Sequence, residues 1–531
     1  MNRRFLGLEL LCAPRWLTAL AMALGAMGVS LRAGSAEHVV VVVFDGMRPD
    51  FVTPQYAPNL YRLATNGVFF RSNHCVYIST TIVNGTALAT GTHPGHSGIL
   101  ANSDFRDELN SASPVASEVL DTLRRGDLWD RGHYIAADTL AELIQDAGYH
   151  TYIAGTKSVA LVHDRSPRKT DTAAHSNSVT LGRGLVLPRA RLAGLKAVND
   201  DKVFPDTFTT PNIGSDDWTT SALVKGLWKK GVPKYSLLWL SDPDITQHSK
   251  GVGATESLAA IESSDKHLGQ VLDALQERKL LEKTDVFVVS DHGFSTISRG
   301  PDITEALKKR GLSAFTKLEN PEPGDVLVVP LGGSALFYVV DRREDVIRKT
   351  ALALQTSDFT GVVFSRIPLP GTFPLSAIHY PTEGHGPDLV VAMRWSPERN
   401  DNGFPGLIVG TGGTKGSGTH GSLSHYDMNN TLVASGPDFK RGLLSDIPSG
   451  NIDLAPTVLH LLGIKAKSRM DGRVLHEAFL ADHGPAPVVE EKILEAEVTS
   501  GLQRWHQSLK TLQVEGALYF DEGSGEITLR K

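Results

Sequence analysis

The sequence predicts an α/β fold with a doubly wound, mostly parallel sheet and a small inserted α+β region. Val39–Phe44 is an unbroken apolar run, which is typical of a strand buried on both faces of a parallel sheet. Similar runs recur at Tyr235–Leu240 and Val286–Ser290, and amphipathic patterns at Ala137–Ala147 and Glu256–Glu277 predict helices between them. This alternation of strands and helices indicates a doubly wound sheet.

Residues 1–36 resemble an export signal. Positive charge in MNRR precedes an apolar stretch at Trp16–Leu31, and the small residues AGSA precede Glu37. Arg3 and Arg4 resemble a twin-arginine signal. The alternative, a membrane anchor, is less favoured because the apolar stretch is shorter than the ~20 residues that span a bilayer. We therefore expect an exported chain, periplasmic or secreted, with no stable membrane span after signal cleavage.

Charge and cysteine content narrow the possible functions. A net charge of -6 over 531 residues gives no broad basic surface, which argues against a nucleic-acid polymer as partner. Cys75 is the single cysteine left after removal of the signal, so we expect no intrachain disulfide.

The rest of the chain divides into four predicted parts. Residues 37–300 form the first part of the core, 301–410 an insertion or cap region with a return to the core, 411–480 the last part of the core, and 481–531 a C-terminal tail. Within the insertion, Gly333–Arg366 reads as strand, helix, strand.

Three further segments have clear patterns. The apolar stretches Asp388–Met393 and Thr431–Ser435 predict a return to the central sheet, and Asp453–Ile464 predicts a helix with a proline in its first turn. The tail ends in ALYFDEGSGEITLR, which predicts a hairpin with a glycine turn.

Acidic and imidazole side chains follow the predicted central strands. Each residue is weak evidence alone, but in an open α/β sheet ligands bind outside the carboxyl ends of the strands, where these residues are expected to meet. Mixed oxygen and nitrogen donors suit two divalent cations, with zinc favoured. The candidate ligands are Asp45, Asp244, His248, Asp291, His292 and His420.

The segment YISTTIVNGTALATG contains a candidate nucleophile, Thr81, where an apolar segment turns into a predicted helix. Its neighbour Thr80 is the other candidate. Threonine is also a good helix N-cap, and this structural alternative is preferable in the absence of a metal site.

Six segments occur in an order that resembles the alkaline phosphatase superfamily, and within it the nucleotide pyrophosphatase/phosphodiesterase branch. The segments are VVVVVFDGMRPD, TIVNGTALATGTHPGHSGI, LLWLSDPDITQH, VFVVSDHGF, GTHGSLSHYDM and DLAPTVLHLLGI. The resemblance implies an alkaline-phosphatase-like fold with Thr81 as nucleophile. It implies one metal held by Asp45, Asp291, His292 and the Thr81 oxygen, and a second held by Asp244, His248 and His420.

This resemblance implies a two-step hydrolysis of a small-molecule phosphoester. A metal ion lowers the proton affinity of the Thr81 oxygen, which attacks phosphorus and forms a phosphothreonine that water later hydrolyses. Asn84 is expected to donate a hydrogen bond to a non-bridging oxygen of the substrate. Threonine followed by this asparagine suggests a less charged phosphoryl group, namely a diester, a pyrophosphate link or a phosphonate.

Several alternatives stay open at this point. A phosphonate hydrolase similar to phosphonoacetate hydrolase is the nearest one, followed by a phosphomonoesterase and a catalytically inactive binding protein. Sulfatases are disfavoured because their Cys/Ser-x-Pro-x-Arg pattern is absent at Thr81. The nearby His93 and His96 are interpreted as structural residues or as residues that support the ligands. His425 could compete with His420 for the metal, but the glycine-flanked pattern favours His420. Lys157 could approach the substrate, but it is interpreted as a solvated lysine outside the site.

Overall fold

The computed structural model describes residues 34–165 and 177–529. Most of the predicted export signal, residues 1–33, lies outside the described residues, so the signal stays a prediction. Within the described ranges, none of the helices has both the length and the apolar character needed to cross a membrane.

A nine-stranded, mostly parallel sheet forms the centre of the molecule, as predicted. Two strands, Leu432–Ser435 and Leu185–Leu187, run antiparallel to their neighbours. Across the sheet, the strands follow the order Leu443–Ser445, Val68–Phe70, Leu432–Ser435, Thr284–Val289, His38–Phe44, Tyr235–Leu240, Thr151–Gly155, Val179–Gly182, Leu185–Leu187.

Both faces of this sheet are covered by helices because its inner strands are apolar on both sides. In the strand His38–Phe44, Val39, Val41 and Val43 pack into one core, and Val40 and Val42 pack into the other. Two sets of helices cover these faces. Thr81–Thr90, Leu140–Asp146 and Leu454–Leu462 lie on the first, and Pro58–Thr65, Ile213–Ser221 and Thr255–Glu277 lie on the second.

The inserted region forms its own six-stranded sheet. Its predicted strand, helix and strand are present as Ser334–Val339, Glu344–Gln355 and Thr360–Ser365. The predicted return to the central sheet at Asp388–Met393 is wrong, because Leu389–Met393 pairs antiparallel between these two strands. The sheet order is Ala314–Phe315, Val326–Pro330, Ser334–Val339, Leu389–Met393, Thr360–Ser365, Phe373–Pro374.

Several smaller elements complete the fold in the described part of the chain. A four-stranded sheet has the order Trp395–Arg399, Pro405–Val409, Ser295–Arg299, Gly418–Thr419. Two short pairs join Asn73–His74 to Ser449–Gly450 and Ser103–Asp104 to Val115–Ala116. The other α-helices in the described part of the chain are Pro94–Ser97, Leu120–Trp129, Leu192–Ala197, Asp244–Lys250, Ile303–Lys308 and His425–Met428.

The tail forms a three-stranded antiparallel sheet, which we call the C-terminal sheet. Its strands are Val489–Ser500, Gln503–Val514 and Ala517–Leu529. The first strand lies at the edge of this sheet and is largely exposed. That edge strand carries four glutamates, Glu490, Glu491, Glu495 and Glu497.

The glycine turn predicted inside the last segment is wrong. Ala517–Leu529 is one strand, and the chain reverses before it at Glu515 and Gly516, which have φ angles of 50° and 90°. Two left-handed residues are typical of a two-residue hairpin turn. The glycines within the strand serve close packing instead, because a Cβ atom on Gly525 would lie 2.0 Å from the carbonyl oxygen of Gly361.

Candidate active site

The predicted acidic residues meet at the carboxyl edge of the central sheet. Asp45 follows His38–Phe44, and Asp291 and His292 follow Thr284–Val289. Asp244 begins a helix shortly after the adjacent strand. The Nε2 atom of His292 lies 3.2 Å from Asp291 Oδ2, 3.7 Å from Asp45 Oδ1 and 3.9 Å from Asp244 Oδ1.

Backbone carbonyls orient the three imidazoles of the site. The Nδ1 atoms of His292, His420 and His248 lie 2.9, 2.8 and 3.2 Å from the carbonyl oxygens of Gly293, Ser79 and Gly418. When Nδ1 donates to a carbonyl, Nε2 keeps a free lone pair, which is the usual arrangement of a metal-ligating histidine. The Nε2 atoms of His248 and His420 lie 3.3 and 3.4 Å from Asp244 Oδ1.

The donor set fits divalent cations. One carboxylate oxygen on each of Asp45, Asp244 and Asp291 is buried without a hydrogen-bond donor. In two groups the potential ligand atoms lie within 4.8 Å of one another, namely Asp45, Asp291 and His292, and Asp244, His292 and His420. Oxygen and imidazole donors in this mixture suit zinc. The division of ligands between two ions stays a prediction, since His292 belongs to both groups.

Lys157, which the sequence interpretation left outside the site, lies within it. Its Nζ atom is 2.9 Å from both Asp45 Oδ2 and Asp244 Oδ2, and its side chain is 12% exposed. Burial opposes ionisation of Asp244, yet Lys157 holds the pKa of that carboxyl well below its usual value. Burial raises the pKa of Asp45 well above its usual value, and it raises the pKa of Asp291 to about 7. The crowded carboxylates therefore favour bound cations.

Thr81 is the first residue of the helix Thr81–Thr90, and Thr80 occupies the N-cap position. The alternative role of Thr81 as the cap itself is therefore wrong. The Thr81 side chain is buried, and its Oγ1 atom lies 3.2 Å from Nε2 of His292. A hydroxyl at this point faces the positive end of the helix and the imidazole of a candidate metal ligand.

The predicted role of Asn84 as a donor to substrate is wrong. Its Nδ2 atom donates to the carbonyl oxygens of Val76, Ile78 and Thr80, at 3.0, 3.4 and 3.2 Å. Its Oδ1 atom accepts from the Val76 backbone N–H at 2.6 Å and from Asn451. With its amide committed to its own loop and fully buried, Asn84 fixes the segment that leads to Thr81.

Asn102 is a polar residue of the site that the sequence interpretation missed. Its Oδ1 atom accepts a 2.9 Å hydrogen bond from the backbone N–H of Ile82, next to Thr81. Asn102 also lines a cavity of about 430 Å³ together with Thr80, His248 and His420. Since Oδ1 is bonded to the helix, the amide N–H groups are the atoms available to an oxygen in that cavity. An asparagine in a loop without periodicity gives no signal in a single sequence.

The three nearby histidines lie in other contacts. The His93 ring stacks on that of His379 with centroids 4.1 Å apart, and His96 Nδ1 lies 2.9 Å from Asp471. His425 Nδ1 lies 3.4 Å from Asp521 in the C-terminal sheet. These contacts agree with their interpretation as residues outside the site.

Known proteins with similar sequences are phosphodiesterases and related hydrolases by name. The family model described as "Type I phosphodiesterase / nucleotide pyrophosphatase" matches residues 39–421. The bis(5'-adenosyl)-triphosphatase ENPP4 of Bos taurus is 23% identical over 434 residues, which cover 81% of this chain and 79% of that protein. The venom phosphodiesterase CdcPDE of Crotalus durissus collilineatus is 23% identical over 265 residues, covering 49% of this chain. This match spans 26% of the venom protein, about a quarter of its length.

Solved structures share the fold. Murine ENPP5 has a TM-score of 0.59 at 19% sequence identity, with 83% of this chain and 100% of that chain covered. An inactive form of murine ENPP5 in complex with AMP has a TM-score of 0.57 at 18% identity, with the same coverage of 83% and 100%. At this identity the likeness shows the fold alone.

A doubly wound sheet with carboxylates and imidazoles at its carboxyl edge, beside a buried threonine at a helix start, agrees with the alkaline phosphatase superfamily that the sequence resembles. Within that class, the match over residues 39–421 shows that the chain belongs to the type I phosphodiesterase / nucleotide pyrophosphatase family of phosphoric ester hydrolases.

Proposed function

We propose that this chain is an exported, metal-dependent hydrolase that cleaves phosphodiester or pyrophosphate bonds through a phosphothreonine on Thr81. The observation that carries the proposal is the position of the Thr81 hydroxyl. It is buried at the start of a helix, 3.2 Å from His292 Nε2, at the sheet edge where three carboxylates converge.

The carboxylates and imidazoles at the sheet edge would hold two metal ions, and the start of the helix would hold the phosphoryl group. Zinc bound by the ligands predicted above would lower the proton affinity of the Thr81 oxygen and offset the negative charge of the phosphate. The N-terminus of the helix Thr81–Thr90 adds a favourable field for an anionic group. The Asn102 amide takes the role first assigned to Asn84, donating to a non-bridging phosphoryl oxygen from the cavity wall.

The reaction then has two steps. The Thr81 oxygen bonds to phosphorus as the bond to the leaving oxygen breaks, giving a phosphothreonine and a released alcohol or phosphate. A water molecule next attacks phosphorus and breaks the bond to Thr81, which restores the hydroxyl and releases the phosphorylated product. The carbonyl contacts that hold His292 and His420 keep the two imidazoles oriented through both steps.

The cavity beside Thr80 and Asn102 supports a substrate of low charge. Among the residues that the structure describes, no arginine lines it, whereas enzymes that bind a dianionic phosphate commonly clamp it with a guanidinium group. The names of the relatives, a venom phosphodiesterase and a bis(5'-adenosyl)-triphosphatase, point to diester and pyrophosphate links. A small-molecule nucleotide or related phosphoester is therefore our proposed substrate class.

Lys157 favours a second candidate, a phosphonate hydrolase. Its ammonium group lies 2.9 Å from two candidate metal ligands, Asp45 and Asp244, so a cation of the chain itself is within the site. An ammonium released from these carboxylates by bound metal would be suited to the second anionic group of a substrate such as phosphonoacetate.

The test compares three substrates on the purified mature protein, with its metal content measured. They are bis(p-nitrophenyl) phosphate, p-nitrophenyl phosphate and phosphonoacetate. We expect the diester to be cleaved fastest by protein containing two zinc ions, and a chelator to abolish its cleavage. Faster turnover of phosphonoacetate, lost on Lys157→Met, would establish the second candidate instead. No turnover by fully metallated protein would favour an inactive binding protein.

Export is tested separately by N-terminal sequencing. Expression of the full chain in a bacterial host should give a periplasmic or secreted protein that begins near Glu37. An intact N-terminus on a membrane-bound protein would support the anchor alternative.

A further inference from the structure

One carboxylate of the C-terminal sheet, Asp521, contacts two segments that flank candidate site residues. Asp521 lies in the strand Ala517–Leu529, where pairing with Gln503–Val514 shifts register between Lys510 and Thr511. Such a bulge re-aims a side chain out of the regular alternation of a strand. The Asp521 side chain is 12% exposed and faces the core of the molecule rather than solvent.

Three cationic or imidazole groups surround this carboxylate. Its Oδ1 atom lies 3.4 Å from His74 Nε2 and 3.4 Å from His425 Nδ1, and its Oδ2 atom lies 3.0 Å from the Nζ atom of Lys510. Burial opposes ionisation of Asp521, but the bonds from His425 and His74 hold its pKa below the usual value. The carboxylate is therefore charged and joins three separate segments of the chain.

Two of these segments carry site residues. His74 lies seven residues before Thr81 in the segment that Asn84 also fixes. His425 follows His420 by five residues and begins the helix His425–Met428. The two segments also touch directly, because the Cys75 backbone N–H donates to the Met428 carbonyl at 2.9 Å.

A second contact from the same strand supports this connection. The Gly523 backbone N–H donates to the carbonyl oxygen of Leu423 at 2.9 Å, three residues after His420. A Cβ atom on Gly523 would lie 2.8 Å from the Leu423 side chain, so the strand and the loop are in close contact. The strand thus binds the loop that carries His420 at two points, Leu423 and His425.

We propose that Asp521 is a positioning residue for the active site, acting through His74 and His425 to fix the Thr81 segment relative to the His420 loop. This inference rests on the proposed function for its effect on catalysis, but its structural content does not require a substrate. Ligands held by several fixed partners bind metal more tightly, and small displacements of reacting groups lower rates strongly.

The test uses Asp521→Asn, which keeps the shape of the side chain and removes its charge. Glu526→Gln is the matched control, because Glu526 is an exposed carboxylate on the same strand. Hydrogen exchange is measured by mass spectrometry for peptides covering residues 73–80 and 418–430, and zinc loss is followed with a chromogenic chelator. We expect Asp521→Asn to speed exchange in both segments and to speed zinc loss on the order of tenfold, with Glu526→Gln unchanged.

A second variant keeps the inference testable if Asp521→Asn fails to fold. His425 is partly exposed, with a side chain 45% accessible, so His425→Ala should fold, and it removes the link to one segment alone. We expect faster exchange in residues 418–430 and unchanged exchange in residues 73–80. Unchanged exchange in both segments and unchanged zinc loss would overturn the inference. Loosened segments in a protein that cleaves no substrate would sustain it and refute the proposed function instead.

Discussion

The central sheet and the C-terminal sheet place polar groups in different ways. The strand His38–Phe44 is fully buried from Val39 to Phe44, and the first acidic side chain, Asp45, comes where the strand ends. In the C-terminal sheet, the strand Gln503–Val514 alternates between buried and more exposed positions. There a buried polar side chain, Gln507, lies mid-strand and bonds both the backbone N–H and the carbonyl of Val363.

The difference follows from how many faces of each sheet are covered. An unpaired polar group is costly along a strand that is buried on both faces, so reactive side chains collect at its end. A sheet with one covered face can present polar groups at mid-strand toward a neighbour. The central sheet therefore assembles the candidate site, and the C-terminal sheet supports it from the side.

The largest expected effect comes from removing the hydroxyl at the edge of the central sheet. Thr81→Ala should lower kcat/KM for the diester roughly a thousandfold or more, because the nucleophile of the first step is lost. Thr81→Ser, the matched control, keeps a hydroxyl and should stay within about tenfold of the wild type. Both variants should melt like the wild type. Full diesterase activity of Thr81→Ala would refute the assignment of the nucleophile.

A second experiment separates the two asparagines near Thr81. Asn102→Ala should lower kcat/KM by roughly a hundredfold or more, because it removes a donor to the phosphoryl group. It should lower the free energy of unfolding by only about 1 kcal/mol, because the Ile82 backbone N–H loses its acceptor. Asn84→Ala should instead lower the free energy of unfolding by about 3 kcal/mol, because it leaves buried backbone groups of its loop without partners. Steady-state kinetics measures kcat/KM of both variants, and urea unfolding measures their free energies of unfolding. The reverse pattern would restore the role first predicted for Asn84.

Burial of Asp453, which the C-terminal sheet contacts, should make stability depend on pH. Tyr519 donates a 2.8 Å hydrogen bond to Asp453, and burial raises the pKa of this carboxyl to about 6. A raised pKa means that its stabilising contribution is fully present below about pH 4 and is lost as the pH rises through about 6.

We therefore expect Asp453→Asn to gain on the wild type by up to about 3 kcal/mol of unfolding free energy between roughly pH 4 and pH 7. Urea unfolding at several pH values measures the gain, with the exposed Asp401→Asn as control. Parallel pH curves for the wild type and Asp453→Asn would contradict the expectation.

The smallest effect concerns the packing of the C-terminal sheet on the inserted sheet. Gly525→Ala should cost about 1–3 kcal/mol, because the new methyl group would lie 2.0 Å from the Gly361 carbonyl oxygen. The neighbouring Ser524 is exposed, and Ser524→Ala should change stability by less than about 0.5 kcal/mol. Thermal unfolding of the two variants is sufficient. Equal stability would mean that the two sheets are not in close contact at this point.

The sequence predicts well those features that follow from the burial of a strand on both of its faces. Unbroken apolar runs mark the central strands, and their ends mark Asp45, Asp244 and Asp291, which the structure brings together with His292. The direction of a side chain is not encoded in spacing, so Asn84, which turns back into its own loop, was assigned to the substrate. The sequence also does not place Lys157 in the site, because its ion pairs are visible only in the packed structure.

The sequence also does not predict which sheet a strand joins or why a glycine is needed at a given position. The apolar strand Leu389–Met393 has the composition of a central strand but pairs within the inserted sheet, and composition does not distinguish the two. Gly523 and Gly525 predict a turn because glycine is common in turns. In the structure these positions need glycine because a neighbouring segment approaches them closely. The true turn glycine, Gly516, was not recognised.

The acidic edge strand Val489–Ser500 has a consequence for how copies of this protein behave in concentrated solution. Among the described residues, no strand pairs with one side of that strand, and such an open edge can serve as a template for strands of another molecule. Four glutamates and one lysine give the strand a net negative charge, although Arg504 and Lys510 of the next strand pair with Glu497 and Glu491, so two such edges repel each other weakly. The C-terminal sheet therefore supports the site, and the charge on its edge strand also protects the protein against aggregation at neutral pH.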